Sequence, residues 1–407
     1  MPADVPEAAA AGASGGGAPV HLVDTTMYWS DRGGGGVRRY LEAKHAWFSR
    51  RRGWRHTLAV PGAPGADAGR VRLPALLLPG SGGYRLPWRR GALAARLDSL
   101  APHLIEVGDP FRVAWAALDV AAARAIPLVA FCHSDLEAMA RLFGGARWGD
   151  EAARALRIYA RRVYERADLV LTPSETMRHR LLAWGLERVA CQPLGVDTAT
   201  FDPGRRDVGW RERLGFAPDA RVLLYAGRFA PEKHLDRLAA VVRRLGAPYV
   251  LVAIGNGPTP PAGERVRCLP FLRDARSLAT ALASADVFVH AGDRETFGLA
   301  VLEAMACATP VVARRAGGLA ELVDETVGAA VDGERVEPFA DAVASMFDAT
   351  GGAAARRAML GANARRRAER HDWEQVLPIL QARYRALLVQ AGRGAAAAPG
   401  GAPVGVA

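Results

Sequence analysis

The sequence predicts an α/β protein of two domains, each a parallel sheet with helices on both faces. Three observations predict it. Apolar strand candidates alternate with helical patterns along the whole chain, which argues for parallel sheets covered on both sides. At 407 residues the chain can bury a large core and divide in two. The alternation breaks at residues 194–203 (LGVDTATFDP), which reads as a hinge. Half of the chain is hydrophobic, yet no run approaches the roughly eighteen apolar residues of a membrane span.

Strand candidates in the first half are Val20 to Val23, Thr57 to Val60, Leu104 to Val107, Leu128 to Phe131, Leu169 to Leu171 and Val189 to Pro193. Helical spacing lies between them at Val37 to Phe48, Arg89 to Leu100, Arg154 to Arg166 and Thr176 to Trp184. The second half opens with Val222 to Tyr225 and continues with Tyr249 to Ile254, Val266 to Leu269, Val287 to Val289 and Pro310 to Val312. A final helix is expected from Trp373 to about Val389, with Trp373, Val376, Leu380 and Tyr384 as its apolar stripe. The first residues, MPADVPEAAAAGASGGGAP, lack the basic and apolar parts of a signal peptide. They and the closing GRGAAAAPGGAPVGVA read as disordered, low-complexity tails. Cys132, Cys191, Cys268 and Cys307 lack CxxC spacing and read as small core residues in a reducing cytoplasm.

Residues 290–312, HAGDRETFGLAVLEAMACATPVV, carry the chemistry. Glu295 and Glu303 are eight apart, with Phe297-Gly298-Leu299 between them. A buried strand precedes Glu295 and a helix follows Gly298, so Glu303 is placed about two turns inside that helix. Open α/β sheets bind ligands at such strand ends. Free N–H groups at Phe297, Gly298 and Leu299 suit an anionic or hydroxyl-rich guest. By spacing alone, a loop acid plus a solvated helix-face acid fits as well.

The 53 Lys plus Arg residues include two lysines, Lys44 and Lys233. A lysine kept where arginine is the rule suggests a site that wants a compact ammonium. Lys233 lies in GRFAPEKH, between an apolar strand and a helix, with Arg228 five residues earlier. Two cations at a helix N-terminus suit a diphosphate. A chance lysine on a surface turn is the alternative.

GRFAPEKHLDRL, followed by ETFGLAVLEAMACATPVV with its E-x7-E spacing, resembles the retaining glycosyltransferases of family 4, which have the GT-B fold. The resemblance covers roughly residues 19–390. It implies two Rossmann-like domains facing a deep cleft. The division expected is a tail at 1–18, an acceptor domain at 19–195, a nucleotide-sugar donor domain at 196–372, a helix at 373–392 that returns to the N-terminal domain, and a tail at 393–407.

The N-terminal domain adds Gly33-Gly34-Gly35-Gly36 between the first strand and the Val37 helix. Glycines let a phosphate approach the backbone, although a flexible linker has the same composition. Gly34, Gly35 and Gly36 are taken as donor-binding. His133 ends a strand and matches a histidine that contacts the donor sugar in relatives. Asp109 also ends a strand, and a helix N-cap before Pro110 explains it equally well. There is no DxD, only Asp293-Arg294-Glu295, and no metal or cofactor is assigned.

By the resemblance, Glu303 grips the ribose of a nucleoside diphosphate sugar. Glu295 and the Phe297-Gly298-Leu299 backbone hold sugar hydroxyls and phosphate, and Arg228 and Lys233 stabilise the leaving diphosphate. His133, Arg228, Lys233 and Glu295 are the expected catalytic residues. The GGVRRY segment resembles α-mannosyltransferases that use GDP-mannose, with a UDP-sugar as the other donor. The acceptor stays open among a lipid, a lipid-linked glycan and a soluble oligosaccharide. A nucleotide-sugar epimerase and a silent nucleotide-sugar binding protein are the rival classes.

Residues 1–200 carry 26 Lys plus Arg against 19 Asp plus Glu, the more basic half of a chain of net charge +11. Arg50-Arg51-Arg52 lie near Trp47, Phe48 and Trp54, and Arg89-Arg90 beside Trp88. Basic residues among aromatics suit an anionic membrane, at roughly 1 kcal/mol per basic residue. An arginine-rich soluble surface is the equal alternative. No nucleic-acid-binding module is recognisable. The location expected is the cytoplasm, with the inner face of the membrane as the peripheral option.

Overall fold

The computed structural model of the chain describes residues 18–30, 35–62, 69–77, 83–348 and 352–397. The first half contains β1 (Val20–Thr25), α1 (Gly36–Ser49), β2 (Trp54–Pro61), β3 (Arg70–Leu73), β4 (Leu76–Leu77), β5 (Arg85–Leu86), α2 (Arg90–Asp98), β6 (Leu104–Val107), α3 (Arg112–Arg124), β7 (Leu128–Phe131), α4 (Leu136–Tyr164), β8 (Leu169–Thr172), α5 (Glu175–Ala183) and β9 (Val189–Cys191). The second contains α6 (Trp210–Arg213), β10 (Arg221–Ala226), α7 (Leu235–Leu245), β11 (Tyr249–Ile254), β12 (Val266–Leu269), α8 (Ala275–Ser284), β13 (Val287–His290), α9 (Leu299–Ala306), β14 (Val311–Arg314), α10 (Leu319–Leu322), β15 (Gly328–Val331), α11 (Val336–Ser345), α12 (Ala353–Glu369) and α13 (Trp373–Ala397).

The strands form two parallel sheets, ordered β3-β2-β1-β6-β7-β8-β9 and β12-β11-β10-β13-β14-β15. Each sheet reverses its strand order once, between β1 and β6 and between β10 and β13. At such reversals the loops leave in opposite directions and open a crevice at the carboxyl ends. The central strands are apolar on both faces, as Leu128–Phe131 and Val287–Phe288 show, because helices cover both sides. One core runs under α1, α9 and α13, and two others fill the outer faces of the two sheets.

Helix starts follow local chemistry. Asp135 accepts from the Ala138 N–H at 3.0 Å, and Asp274 from the Ser277 N–H at 2.9 Å. Helix α4 is broken at Gly145, whose φ of 61° interrupts the helical run. It begins at Leu136, well before the expected Arg154. Asp109 does not cap α3, which starts at Arg112. It is buried and accepts from the Thr26 hydroxyl, at 2.8 Å, and from the backbone N–H groups of Met27 and Phe111. It thus pins the loop after β1 to the loop after β6.

The chain crosses between the two sheets at Val196 and returns at Trp373. Val196 N–H donates to His371 O at 2.9 Å, and Trp373 N–H to Val196 O at 3.2 Å. A Cβ on Gly195 would lie 2.5 Å from the Trp373 ring, so the crossing requires a glycine. Helix α13 then packs on α1, with Val376, Leu380 and Tyr384 buried. Its last residues, 393–397, continue the helix instead of the expected tail. The rest of both tails lies outside the described residues.

Lys44 is fully buried on α1. Its ammonium donates to Asp24 at 2.9 Å, to Glu106 at 2.8 Å and to the Tyr384 hydroxyl at 2.7 Å. An unpaired charge there would cost several kcal/mol, so these partners are what make the burial tolerable. Cys132 and Cys307 are core residues as expected, but Cys191 is half-buried and Cys268 exposed.

Candidate functional site

The loop after β10 carries the two predicted cations. Phe229 N–H donates to Asn256 O at 2.8 Å, and Gly227 N–H to Ile254 O at 3.0 Å. A Cβ on Gly255 would come within 1.9 Å of Gly227 O, and one on Gly257 within 2.1 Å of Phe229 O. The Gly255-Asn256-Gly257 turn is therefore glycine-rich for close packing, and it braces the cation loop. His234, with φ 49°, turns the chain into α7. Lys233 points into the cleft and pairs with Glu295. Arg228 is exposed and lies 3.3 Å from Glu232.

Glu295 is held from three sides. Its carboxylate takes the Lys233 ammonium and lies 3.1 Å from His290 Nε2. Gly292 N–H donates to His290 Nδ1 at 3.2 Å, which leaves the imidazole proton on Nε2, facing Glu295. Gly318 N–H donates to Glu295 O at 2.8 Å, and Gly317, with φ 52°, admits this contact because a Cβ there would meet that oxygen at 2.3 Å. Burial alone would push the Glu295 carboxyl up. The Lys233 charge and the His290 N–H outweigh it and hold the group well below the usual carboxylate range.

Glu303 lies on α9, about one turn inside it and not two, because the helix starts at Leu299. It is buried, and it pairs across the cleft with Arg39 of α1 through Oε1. Its Oε2 is buried without a partner. Burial raises the Glu303 pKa, and Arg39 opposes the rise. A cavity of about 380 Å³ opens here, lined among others by Arg39, Val196, Phe271, Leu299, Glu303 and Trp373. Gly298, with φ 102°, starts α9, and a Cβ there would lie 2.5 Å from Leu319.

Gly36 faces this segment from the other domain, since a Cβ on it would lie 3.1 Å from Leu299 Cδ1. Gly35 is the N-cap of α1, with no side chain to occupy its N–H groups. Gly33 and Gly34 lie outside the described residues. His133 stacks on Phe131, with ring centroids 4.0 Å apart, and lies 5.1 Å from the Tyr40 ring. Burial, assisted by the Lys44 charge, pushes its imidazole down to about 3, so it is neutral at pH 7. Its Nε2 has no partner. Its carbonyl accepts from Thr296 Oγ1 at 2.8 Å, across the cleft.

Of the sequence-predicted residues, Leu299 and Glu303 line the cavity, Gly36 faces Leu299, Lys233 pairs with Glu295, and Thr296 ties the Glu295 loop to His133. Arg228 is exposed. Sequence reasoning missed His290, which ends a strand just as His133 does and sits five residues before Glu295. It also gave Arg39 no role, although Arg39 belongs to GGVRRY. Nothing in the sequence pairs Arg39 with a carboxylate 264 positions away. Among the described residues, no group of three His, Cys, Asp or Glu side chains is arranged to hold a metal ion.

Two crevices face each other across one cleft, one with cations and the other with a glycine turn. That is the architecture of a GT-B glycosyltransferase. Residues 209–367 match the family described as glycosyl transferases group 1, and residues 34–200 the one described as glycosyltransferase family 4. The GDP-mannose-dependent alpha-(1-6)-phosphatidylinositol dimannoside mannosyltransferase of Mycobacterium tuberculosis is 32% identical over 334 residues, 79% of this chain and 83% of that protein. The GDP-mannose-dependent alpha-mannosyltransferase of Mycolicibacterium smegmatis is 33% identical over 261 residues, 62% of this chain and 66% of that protein. Among solved structures, the sucrose-phosphate synthase of Thermosynechococcus elongatus superposes with a TM-score of 0.73 at 20% identity, covering 91% of this chain and all of that one. The chain belongs to glycosyltransferase family 4, and it is an enzyme of glycosyl transfer from a nucleotide sugar.

Proposed function

We propose that the chain transfers mannose from GDP-mannose to a hydroxyl of a glycan or glycolipid, with retention and without a metal ion. The observation that carries this reading is the free Oε2 of Glu303, buried beside an open cavity. A buried carboxylate oxygen without a donor is costly unless a ligand supplies one. A ribose hydroxyl is such a donor. Lys233 and Arg228 would stabilise the charge that grows on the leaving diphosphate, which is usually the largest catalytic contribution. Glu295, fully ionised, would accept from sugar hydroxyls, and neutral His133 would offer its bare Nε2 to the donor sugar. The N–H groups of Gly35, Gly36, Phe297, Gly298 and Leu299 would line the path of the phosphates and sugar.

In the step itself, the bond from C1 of the sugar to the phosphate oxygen breaks and the bond from C1 to the acceptor oxygen forms on the same face. The acceptor's proton passes to the departing diphosphate. The choice of mannose and GDP rests on the GGVRRY segment and on the names of the two mannosyltransferases above. A glycolipid acceptor would bring the enzyme to the cytoplasmic face of a membrane as a peripheral protein. Among the described residues no helix is long and apolar enough to cross one.

The test is a donor panel with product analysis, run with and without lipid and soluble acceptors. GDP release from GDP-mannose that depends on an acceptor supports the reading. UDP release would change the donor. Conversion of the donor without acceptor would make the chain an epimerase, and binding without turnover would make it a nucleotide-sugar binding protein.

A further inference from the structure

Exposed apolar side chains are unevenly distributed on this molecule. Among the described residues thirteen large hydrophobic side chains are exposed, and nine of them fall between Leu76 and Ile158. Of the aromatics first expected to meet a membrane, Trp88 is exposed, whereas Trp47, Phe48 and Trp54 are buried and Arg50 and Arg51 pair with Glu374. Eight of these nine form two groups.

The first group lies on the antiparallel strand pair β4 and β5, which stands outside the parallel sheets. Leu76 is 55% exposed, and Leu77, Tyr84, Leu86 and the neighbouring Trp88 are exposed with it. Arg89 lies 4.8 Å over the Trp88 ring. Residues 70–97 contain six arginines and no Asp or Glu. The second group flanks the break in α4. Phe143 is 82% exposed and Trp148 60%, with Leu142 beside them and Arg147 over the Trp148 ring at 5.5 Å. The break at Gly145 separates Leu142 and Phe143 from Trp148.

The elements that carry both groups are linked through the segment that follows β1. Tyr84 bridges to Ser30, at the end of the segment that follows β1. Tyr28, two residues earlier, lies 6.1 Å from Phe111, and its hydroxyl lies 4.0 Å from Met139 Sδ on α4. The first turn of α4 accepts from Arg294 across the cleft, at Ala138 O. Exposed leucine, phenylalanine and tryptophan in contiguous patches mark an interaction surface. Arginines stacked on the tryptophans, without acids in residues 70–97, match a partner that is apolar within and anionic at its boundary.

We propose that strands β4 and β5 with Trp88 and the broken segment of α4 together form a docking surface for an anionic lipid bilayer, which sets the acceptor side of the cleft at the membrane. This rests on the reading of the acceptor as a glycolipid, and it names the surface that would bring the enzyme to it.

The test uses the full chain and co-sedimentation with phosphatidylglycerol vesicles or with pure phosphatidylcholine vesicles at low salt. Wild type is expected to sediment with the anionic vesicles and weakly with the neutral ones. Leu76→Ser with Leu77→Ser, and Phe143→Ser with Trp148→Ser, are each expected to weaken vesicle binding about tenfold or more, since each removes two interfacial apolar side chains. Calorimetric GDP affinity, measured on the same samples, should equal that of wild type and so report an intact fold. The proposal is overturned if wild type stays in the supernatant with every vesicle, or if both double variants sediment like wild type. It is also overturned if sedimentation velocity shows that the patch holds a second copy of the chain and the lipid does not compete. Failure of wild type to bind GDP would instead sink the donor reading, which the vesicle arm does not touch.

Discussion

On the proposed reading Lys233 has two partners. Its ammonium pairs with Glu295, and by the proposal it also meets the leaving diphosphate. We expect Lys233→Ala to lower transfer on the order of a hundredfold or more, the scale for one preorganised charged donor. Lys233→Arg should also be impaired, because a planar fork does not fit the place of a point charge between Glu295 and phosphate. The melting temperature should fall, since Glu295 loses the charge that offsets its burial, but the variant should still fold because Lys233 is in a turn and Glu295 keeps its His290 contact. Wild-type turnover in Lys233→Ala would remove this residue from the mechanism. Glu303 and Arg39 make a different prediction. Burial raises the Glu303 pKa and Arg39 restrains it, so Arg39→Gln should let it rise further. Nucleotide binding that needs the carboxylate is present above that pKa and lost as pH falls through it. The variant should therefore lose nucleotide affinity at a higher pH than wild type, with kcat at saturating donor nearly kept. Identical pH profiles of Kd by calorimetry would show that Arg39 does not act through Glu303. Lys233 and Glu295 were legible in the sequence because each sits in a loop after a strand, and Glu303 because it stands eight residues beyond Glu295. Arg39 was not, because its meaning comes from a contact across the cleft.

At the scale of elements, α13 is fastened to the first sheet by a buried network as well as by its apolar stripe. One ammonium, Lys44, faces two carboxylates. Burial raises both, but Lys44 and His56 bring Asp24 below its usual range, whereas Glu106 stays raised. Tyr384 accepts from Lys44 and donates to Glu106, and Tyr40 donates to Glu106 at 3.0 Å. Lys44→Met would leave two buried acids without a cation and should cost about 3–5 kcal/mol. Tyr384→Phe removes one hydroxyl and should cost about 1–3 kcal/mol. Urea midpoints followed by tryptophan fluorescence give the order, and a larger loss in Tyr384→Phe would contradict this division. The same elements show what sequence patterning reveals. Leu128–Phe131 and Tyr249–Ile254 are unbroken apolar blocks because they are buried on both faces, so their bounds were read correctly. β3, RVRL, is an edge strand whose arginines hide it, and β15, GAAV, is too short and too small-residued to stand out. The α12 sequence, AAARRAMLGANARRRAE, has no wide apolar stripe, because alanines and arginine stems do its packing.

At the scale of the molecule, the two sheets share the apolar core under α1, α9 and α13, and a few polar contacts join them across the cleft besides. Arg39 pairs with Glu303, Thr296 donates to His133 O, and Glu321 of α10 reaches the start of α5. The last contact is the most separable from chemistry. The Glu321 carboxylate accepts from the N–H groups of Glu175 and Thr176, at 2.9 and 2.7 Å, and from Thr176 Oγ1 at 2.6 Å. A carboxylate at the N-terminus of a helix in the other domain acts as a cap and as a counter-charge to the helix dipole. It touches neither the cavity nor the acids. Its loss, at about 0.5–2 kcal/mol for a capping contact, shifts the balance between closed and open forms by roughly twofold to thirtyfold. Closure serves this reaction by excluding water from the activated sugar. Glu321→Ala should therefore increase the radius of gyration of the free protein in small-angle scattering. It should also raise the ratio of donor hydrolysis to transfer, while saturating nucleotide restores part of the compactness. Glu321→Gln should lie between the two, because it can still accept from the N–H groups but carries no charge. If scattering and product ratio are both unchanged in Glu321→Ala, the α10–α5 contact is incidental and the closed form is held by the shared core and the contacts at the site.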